Sequence, residues 1–331
     1  MTRKLHFCTL FDSAYFSRGL AMYQSLKETC AHFDLYILCF DDATYKTLVR
    51  LNLEQLIPIR LQDFEDPRLL EIKPSRSRGE YCWTCTPSII LYVLQKYNVP
   101  DCTYVDADLY FFSDPTVLLE EMGNKDVLIT EHRYTPKYDQ TEKSGKYCVQ
   151  FINFRNTANG LSILNWWRDR CIEWCFARFE EGRFGDQKYL DDWTTRFTGV
   201  HELQHLGGGV APWNVQQYRI FPDAMNRLQV NEINTSKTYT LVFYHFHYFT
   251  FITDSLMNLG PYKINESARE FIYKPYIKAL DKAESLKEKS TSASHNNLPK
   301  IKRLKIYLKA LKYYQNVFNK RSFLSKQWQR I

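Results

Sequence analysis

The chain has 331 residues, of which 44% are hydrophobic and 24% charged. These are ordinary globular values, which exclude wholesale disorder and fibrous repeats, and the length corresponds to about two domains, or one large α/β domain with an appendage. The net charge of +7 is unevenly spread: residues 261–331 carry 17 Lys and Arg against 5 Asp and Glu, and the rest carry 27 against 32.

The first half alternates strand and helix patterns. Residues 5–10 form a short apolar, β-prone run. Residues 19–30 follow with helical spacing at Leu20, Tyr23 and Leu26. A second strand is predicted over 35–40, a helix capped by Asp42 and running to Leu51, and a third strand over 56–61. Pro87 opens a helix over 87–97, with Ile90, Leu91 and Leu94 on one face. A fourth strand, 103–105, runs into Asp106. This alternation predicts an α/β fold, with a mixed, mostly parallel sheet flanked by helices. In such sheets ligands bind at the carboxyl ends of the strands.

The second half is predicted to hold a strand over 147–154, a long Trp-rich helix over 161–179 and a short helix over 186–192. A loop follows at Gly207–Gly209 and Ala211-Pro212-Trp213, then an aromatic strand over 241–247. Trp166, Trp167, Trp174 and Phe176 read as helix-to-sheet packing. A polar linker is expected near 285–299, with a basic amphipathic helix after Pro299. The nine cysteines include one C-x-x-C, Cys82 and Cys85, with no second pair at zinc spacing. They read as reduced, buried thiols. The first residues lack the apolar core of a signal peptide, and no run of 18 apolar residues is present. A cytoplasmic location is expected.

The sharpest feature is Tyr104-Val105-Asp106-Ala107-Asp108-Leu109. An apolar strand delivers two carboxylates at its carboxyl end. Carboxylates at i and i+2 on a sharp turn can share one hard cation, and Mg²⁺ and Mn²⁺ accept substrate phosphates in their remaining positions. The alternative is a pair of solvated turn-capping aspartates.

This motif resembles the D-x-D signature of nucleotide-sugar glycosyltransferases of the GT-A (Rossmann-like) fold. It is most similar to their retaining family 8 group, which includes glycogenin and bacterial lipopolysaccharide galactosyltransferases. Three further segments occur in that group's order. Thr9-Leu10-Phe11-Asp12-Ser13-Ala14-Tyr15 resembles the first nucleotide loop, Gly185-Asp186-Gln187 the D-Q motif, and His245-Phe246-His247 the start of H-F-x-G. The likeness spans residues 5 to about 250.

The resemblance implies a metal-dependent transferase moving a hexose from a nucleotide-diphosphate sugar, expected to be a UDP-sugar, to a cell-surface glycan or lipid-linked acceptor. Asp106, Asp108 and His245 would hold Mn²⁺ or Mg²⁺, with His247 a rival to His245. Thr9, Leu10, Phe11, Asp12, Tyr15, Ala107 and Gln150 would bind the nucleotide sugar, with the base against the first loop and Gln150 near the sugar, and Arg78 would contact the diphosphate. Asp186 and Gln187 would act at the sugar. The catalytic domain would be 1–260, divided into a nucleotide-binding half, 1–115, and an acceptor and metal half, 116–260. A basic helical tail would be 261–331.

Two positions depart from the group's pattern. Gln150 stands where an Asn is usual, and Tyr248 takes the Gly place after His245. They motivate one alternative, an inactive membrane-associated scaffold that binds nucleotide sugars. A second alternative is a phosphotransferase of the haloacid dehalogenase type. It fits less well, because Tyr110 stands where Thr or Val is usual and the motif follows the fourth strand. The basic tail is expected to meet an anionic membrane surface, as in lipopolysaccharide synthesis. Nucleic acid is not expected, because the tail lacks a compact aromatic and basic module.

Overall fold

A computed structural model describes residues 3–253 and 256–291. Seven strands form the central sheet: β1 (Leu5–Phe11), β2 (Phe33–Cys39), β3 (Leu56–Arg60), β4 (Asp101–Val105), β6 (Val127–Glu131), β7 (Tyr147–Arg155) and β8 (Val200–Glu202). Their order is β3-β2-β1-β4-β7-β6-β8. β7 runs antiparallel to both neighbours, and the remaining pairs are parallel. β5 (Leu109–Phe111) leaves this sheet and pairs with β12 (Phe243–His245). β9 (Tyr218–Pro222), β10 (Leu228–Glu232) and β11 (Thr238–Thr240) form a separate antiparallel meander. β13 (Thr250–Thr253) and β14 (Leu256–Asn258) form a hairpin.

β1 is buried along its whole length, and its alternate residues feed two cores. Cys8 and Leu10 join Ile89, Ile90, Leu94, Leu164 and Trp167, on the face covered by α3 (Arg78–Lys96) and α4 (Ala158–Glu173). Phe7 and Phe11 join Leu20, Met22 and Leu26 of α1 (Phe16–Thr29) on the opposite face. α2 (Asp42–Leu51) packs beside β3, and a third core gathers Trp213, Tyr244, Phe246, Tyr273 and Tyr276.

Several boundaries differ from the sequence-based expectation. α2 is capped by Asp41, whose Oδ1 accepts the Thr44 amide at 2.8 Å, rather than by Asp42. α3 starts nine residues before Pro87. Ser77 and Glu80 close a capping box there, and the helix carries the proline internally. α4 stops at Glu173, where Trp174 turns extended. The 186–192 segment contains only a 3₁₀ turn, Lys188–Leu190. The segment read as a linker from 285 is helical to its limit in the described residues, because α5 spans Lys274–Thr291 and lies along α1. The basic helix expected after Pro299 lies outside the described residues. Eight of the nine cysteines are buried, Cys82 is half-buried, and all nine are free thiols. No helix among the described residues is long and apolar enough to cross a membrane.

Candidate metal and nucleotide site

The carboxyl end of β4 makes a tight turn in which the Leu109 amide donates to Asp106 O at 3.2 Å. The Asp106 amide donates to Gln150 O at 3.0 Å, which extends the β4–β7 ladder by one step. The β5–β12 register sets His245 opposite Leu109, and the Phe246 amide donates to Asp108 O at 3.0 Å. Two strands far apart in sequence thus deliver three ligand side chains to one point. His245 Nε2 lies 3.1 Å from Asp108 Oδ1 and 3.6 Å from Asp106 Oδ2. One ligand atom from each of Asp106, Asp108 and His245 lies within 4.8 Å of the others.

Two carboxylates and one imidazole suit a hard-to-borderline divalent cation. Burial pulls the His245 imidazole down, but the Asp108 and Asp106 carboxylates outweigh it and hold it well above the usual histidine range. Burial pushes Asp106 up, whereas His245 outweighs burial at Asp108 and holds it low. The carboxylates therefore demand positive charge beside Nε2, which a proton or a divalent cation can supply.

Gln150 sits behind this cluster, fully buried. Its Oε1 lies 2.9 Å from His245 Nδ1. An amide oxygen only accepts, so Nδ1 carries the hydrogen and Nε2 faces the carboxylates. Gln150 Nε2 is also buried and has no hydrogen-bond partner. His247, the rival ligand, is not part of the cluster. Its ring lies 5.5 Å from Trp213 and 4.2 Å from Tyr248. Burial, with His245 adding to it, takes the His247 imidazole down to about 4.

The first loop is held by polar side chains. Asp12 Oδ1 accepts the amides of Ala14 and Tyr15 at 2.9 and 3.2 Å. Asp12 Oδ2 pairs with Arg78 Nε at 2.8 Å, and Arg78 reaches Asp41 Oδ2 at 3.4 Å. Asp41 Oδ2 accepts the Ser13 amide at 2.9 Å and hydroxyl at 2.7 Å. Burial pushes the Asp41 carboxyl up, but the Ser13 and Thr44 donors outweigh it and hold it at about 2. Arg78, at the first turn of α3, thus joins the loops after β1 and β2. Tyr15 is 45% exposed, and the Arg18 guanidinium lies 4.5 Å from its ring centre. Partial burial and the Asp108 carboxylate push its phenol up. Thr9, Leu10, Phe11 and Ala107 are buried, which leaves little side-chain surface for a ligand. Thr9 Oγ1 is buried without a partner.

Gly185 takes φ +53, and a Cβ there would press on the Trp83 ring at 3.3 Å. This left-handed residue turns the chain so that Asp186 points inward. Asp186 is buried, and its backbone carbonyl accepts Trp167 Nε1 at 2.8 Å. Burial and the Asp106 carboxylate push its carboxyl up to about 7, against hydrogen bonds from Thr86 and the local amides. Gln187 Nε2 donates to Ser144 O at 2.7 Å, which leaves Oε1 and the second N–H for other partners.

Sequence reasoning missed Asp41 and Arg18. The pair Asp41-Asp42 before a helix was a signal for the first. Nothing local marked Arg18, whose Nη2 donates to Phe249 O at 2.9 Å, 231 residues away.

No protein-family profile matches the chain. It is 33% identical over 278 residues to the uncharacterized protein YfnD of Bacillus subtilis (strain 168), covering 82% of this chain and 87% of that protein. It is 30% identical over 248 residues to YfnF of the same organism, covering 72% and 80%. Among solved structures, the galactosyltransferase LgtC, crystallised with donor and acceptor sugar analogs, aligns with a TM-score of 0.50 at 11% identity. That alignment covers 84% of this chain and 96% of LgtC. The likeness is one of fold, and the fold is GT-A. The chain belongs to the same protein family as YfnD and YfnF.

Proposed function

We propose that the protein is a nucleotide-sugar glycosyltransferase. One observation carries the reading: Asp106, Asp108 and His245 converge within 4.8 Å at the carboxyl edge of a GT-A sheet. Mn²⁺ or Mg²⁺ held by these residues would supply the positive charge that binds a diphosphate and eases its departure as a leaving group. The imidazole ligand favours Mn²⁺.

In this reading the nucleoside of a UDP-sugar lies against the loop from Thr9 to Tyr15. Arg78 holds that loop through Asp12 and stands ready for phosphate. Gln150 offers its unpartnered Nε2 toward the sugar. Asp186 orients sugar hydroxyls. Gln187 is a neutral amide and a poor nucleophile, so its place in the site favours transfer with retention and no covalent intermediate. The donor sugar is a hexose, and the acceptor a cell-surface or lipid-linked glycan of the lipopolysaccharide type. The basic tail, read from sequence, brings the enzyme to an anionic membrane.

A thermal-shift and calorimetric screen of UDP, GDP, CDP and ADP, each with and without Mn²⁺, tests this. The largest metal-dependent stabilisation is expected with UDP. The reading fails if no nucleoside diphosphate binds more tightly with metal. The anomeric configuration of the first-formed product, followed by NMR, tests retention.

A further inference from the structure

The chain turns sharply after β12. The Phe249 amide donates to Phe246 O at 3.1 Å, which closes a four-residue turn with Tyr248 in its third position. Tyr248 takes φ +64. Glycine suits that position, because a Cβ crowds the backbone in the left-handed region. An aromatic residue held there is a strained choice that the rest of the structure must offset.

Packing offsets little of it. Tyr248 is 57% exposed. Its ring meets the His247 ring edge-on at 4.2 Å and lies 6.4 Å from Tyr262. The surrounding chain nevertheless makes room for it. Gly260 takes φ +85, and a Cβ there would come within 2.9 Å of the Tyr248 Cβ. The turn is also tied to the carboxylate cluster. Phe246 binds the Asp108 carbonyl, and Phe249 accepts from Arg18, whose guanidinium lies on Tyr15. A strained, exposed aromatic on a rigid mount three residues beyond a ligand histidine is a feature that ligand binding explains and folding does not.

We propose that Tyr248 is the platform on which the acceptor saccharide stacks, an inference that rests on the glycosyltransferase reading above. A pyranose presents an apolar face of C–H groups to a flat ring, and the phenol hydroxyl can hydrogen-bond its substituents. The donor side of the cluster is bounded by Tyr15 and Asp186. Tyr248 lies past His247, toward solvent, where a saccharide carried on a large acceptor can enter. It would act on acceptor affinity and on the choice of acceptor, and not on the cation.

Three substitutions separate the roles. Tyr248→Gly removes the ring and relieves the backbone. Tyr248→Ala removes the ring and keeps the strained φ. Tyr248→Trp keeps an aromatic face. Saturation-transfer NMR reads contact of methyl β-galactoside and methyl β-glucoside with protein loaded with Mg²⁺ and UDP. UDP affinity and Tm are measured alongside. The expected result is saccharide contact in the unmodified protein and in Tyr248→Trp, with at least a fivefold loss in the Gly and Ala variants. UDP affinity should stay within twofold, and Tm in Tyr248→Gly should be unchanged or raised. The proposal is overturned by equal saccharide contact in Tyr248→Gly, by no contact in the unmodified protein, by a matching loss of UDP affinity, or by a lowered Tm in Tyr248→Gly, which would mark a packing residue. Absence of UDP binding to the unmodified protein would instead overturn the nucleotide-sugar reading itself.

Discussion

His245 donates from Nδ1 to Oε1 of Gln150 at 2.9 Å, and the backbone carbonyl of the same glutamine accepts the Asp106 amide at 3.0 Å. One buried residue thus sets the tautomer of one ligand and the backbone of another. Partners of this kind commonly change metal affinity 10- to 100-fold when removed. Gln150→Leu, similar in volume, is expected to weaken Mn²⁺ binding by about that factor. Gln150→Glu keeps an acceptor for Nδ1–H and should retain most of it. Titration of free Mn²⁺ by electron paramagnetic resonance measures both. Equal affinity in the Leu variant would show that the contact does not orient the ring.

Asp106 and Asp108 differ in their surroundings, yet each supplies a ligand atom to the same cluster. Asp106→Asn and Asp108→Asn should each abolish the Mn²⁺-dependent part of nucleotide affinity and cut transfer by at least about 100-fold, the scale of a lost electrostatic stabiliser. Binding measured in chelator should be unchanged from the unmodified protein. Wild-type turnover by both variants in chelator would remove the metal from the mechanism.

The Asp186 carboxyl is pushed from 3.8 to about 7 by burial and the Asp106 carboxylate. A carboxyl raised on folding binds its proton more tightly in the folded chain than in the unfolded one. Stability therefore falls as pH rises from about 4 to about 7, and the loss is complete above that. At ~1.4 kcal/mol per tenfold change in proton affinity, the upper bound is on the order of 4 kcal/mol. Asp186→Asn is expected to raise stability at pH 8, by an amount that shrinks toward zero near pH 4, while transfer is lost. Denaturant melts across this range measure it. A constant difference at all pH values would mean that the carboxyl does not titrate as described.

The parts legible in sequence were those governed by local pattern. Strands β1, β2, β4 and β7 appeared as apolar runs because they are buried on both faces, and the edge strand β3 as a shorter one. The D-x-D stood out because an apolar strand ended on it. What pattern does not encode is register. His245 reaches Asp108 because β12 pairs with β5, and no feature near residue 245 announces that pairing. Gln150 read as a ligand for sugar because it replaces an Asn. Its oxygen turns to His245, a contact visible only once the fold brings Gln150 of β7 and His245 of β12 together. The helix α3 starts instead at the Ser77–Glu80 capping box, a local signal ten residues before Pro87 that the proline-led spacing leaves out. The meander of β9 to β11 was missed because its alternation runs over strands of only three to five residues.

The last described helix, α5, packs beside the loop that holds Ser13. Ala283 of α5 is buried against the α1 side of the core, and Lys287 Nζ donates to Ser13 O at 3.2 Å. Residues 300–331 lie outside the described residues, but their sequence is rich in Lys and Arg and contains no acid. Ile301, Leu304, Leu308 and Leu311 recur at helical spacing, and Trp328 stands near the end. Such a sequence is suited to the headgroup plane of a membrane, apolar side down, with Lys and Arg reaching lipid phosphates. Each basic residue near an anionic surface contributes about 1 kcal/mol before screening, so half of them suffice for reversible attachment. Because Lys287 near the end of α5 reaches Ser13, attachment there would, on the function proposed above, hold the first loop close to a membrane surface bearing the acceptor. Cosedimentation with liposomes tests this. The full chain is expected to bind vesicles rich in anionic lipid, to release as salt rises, and to lose binding when the chain stops at residue 298. Equal binding to neutral vesicles, or no binding at low salt, would show that the basic segment serves the protein's own body instead.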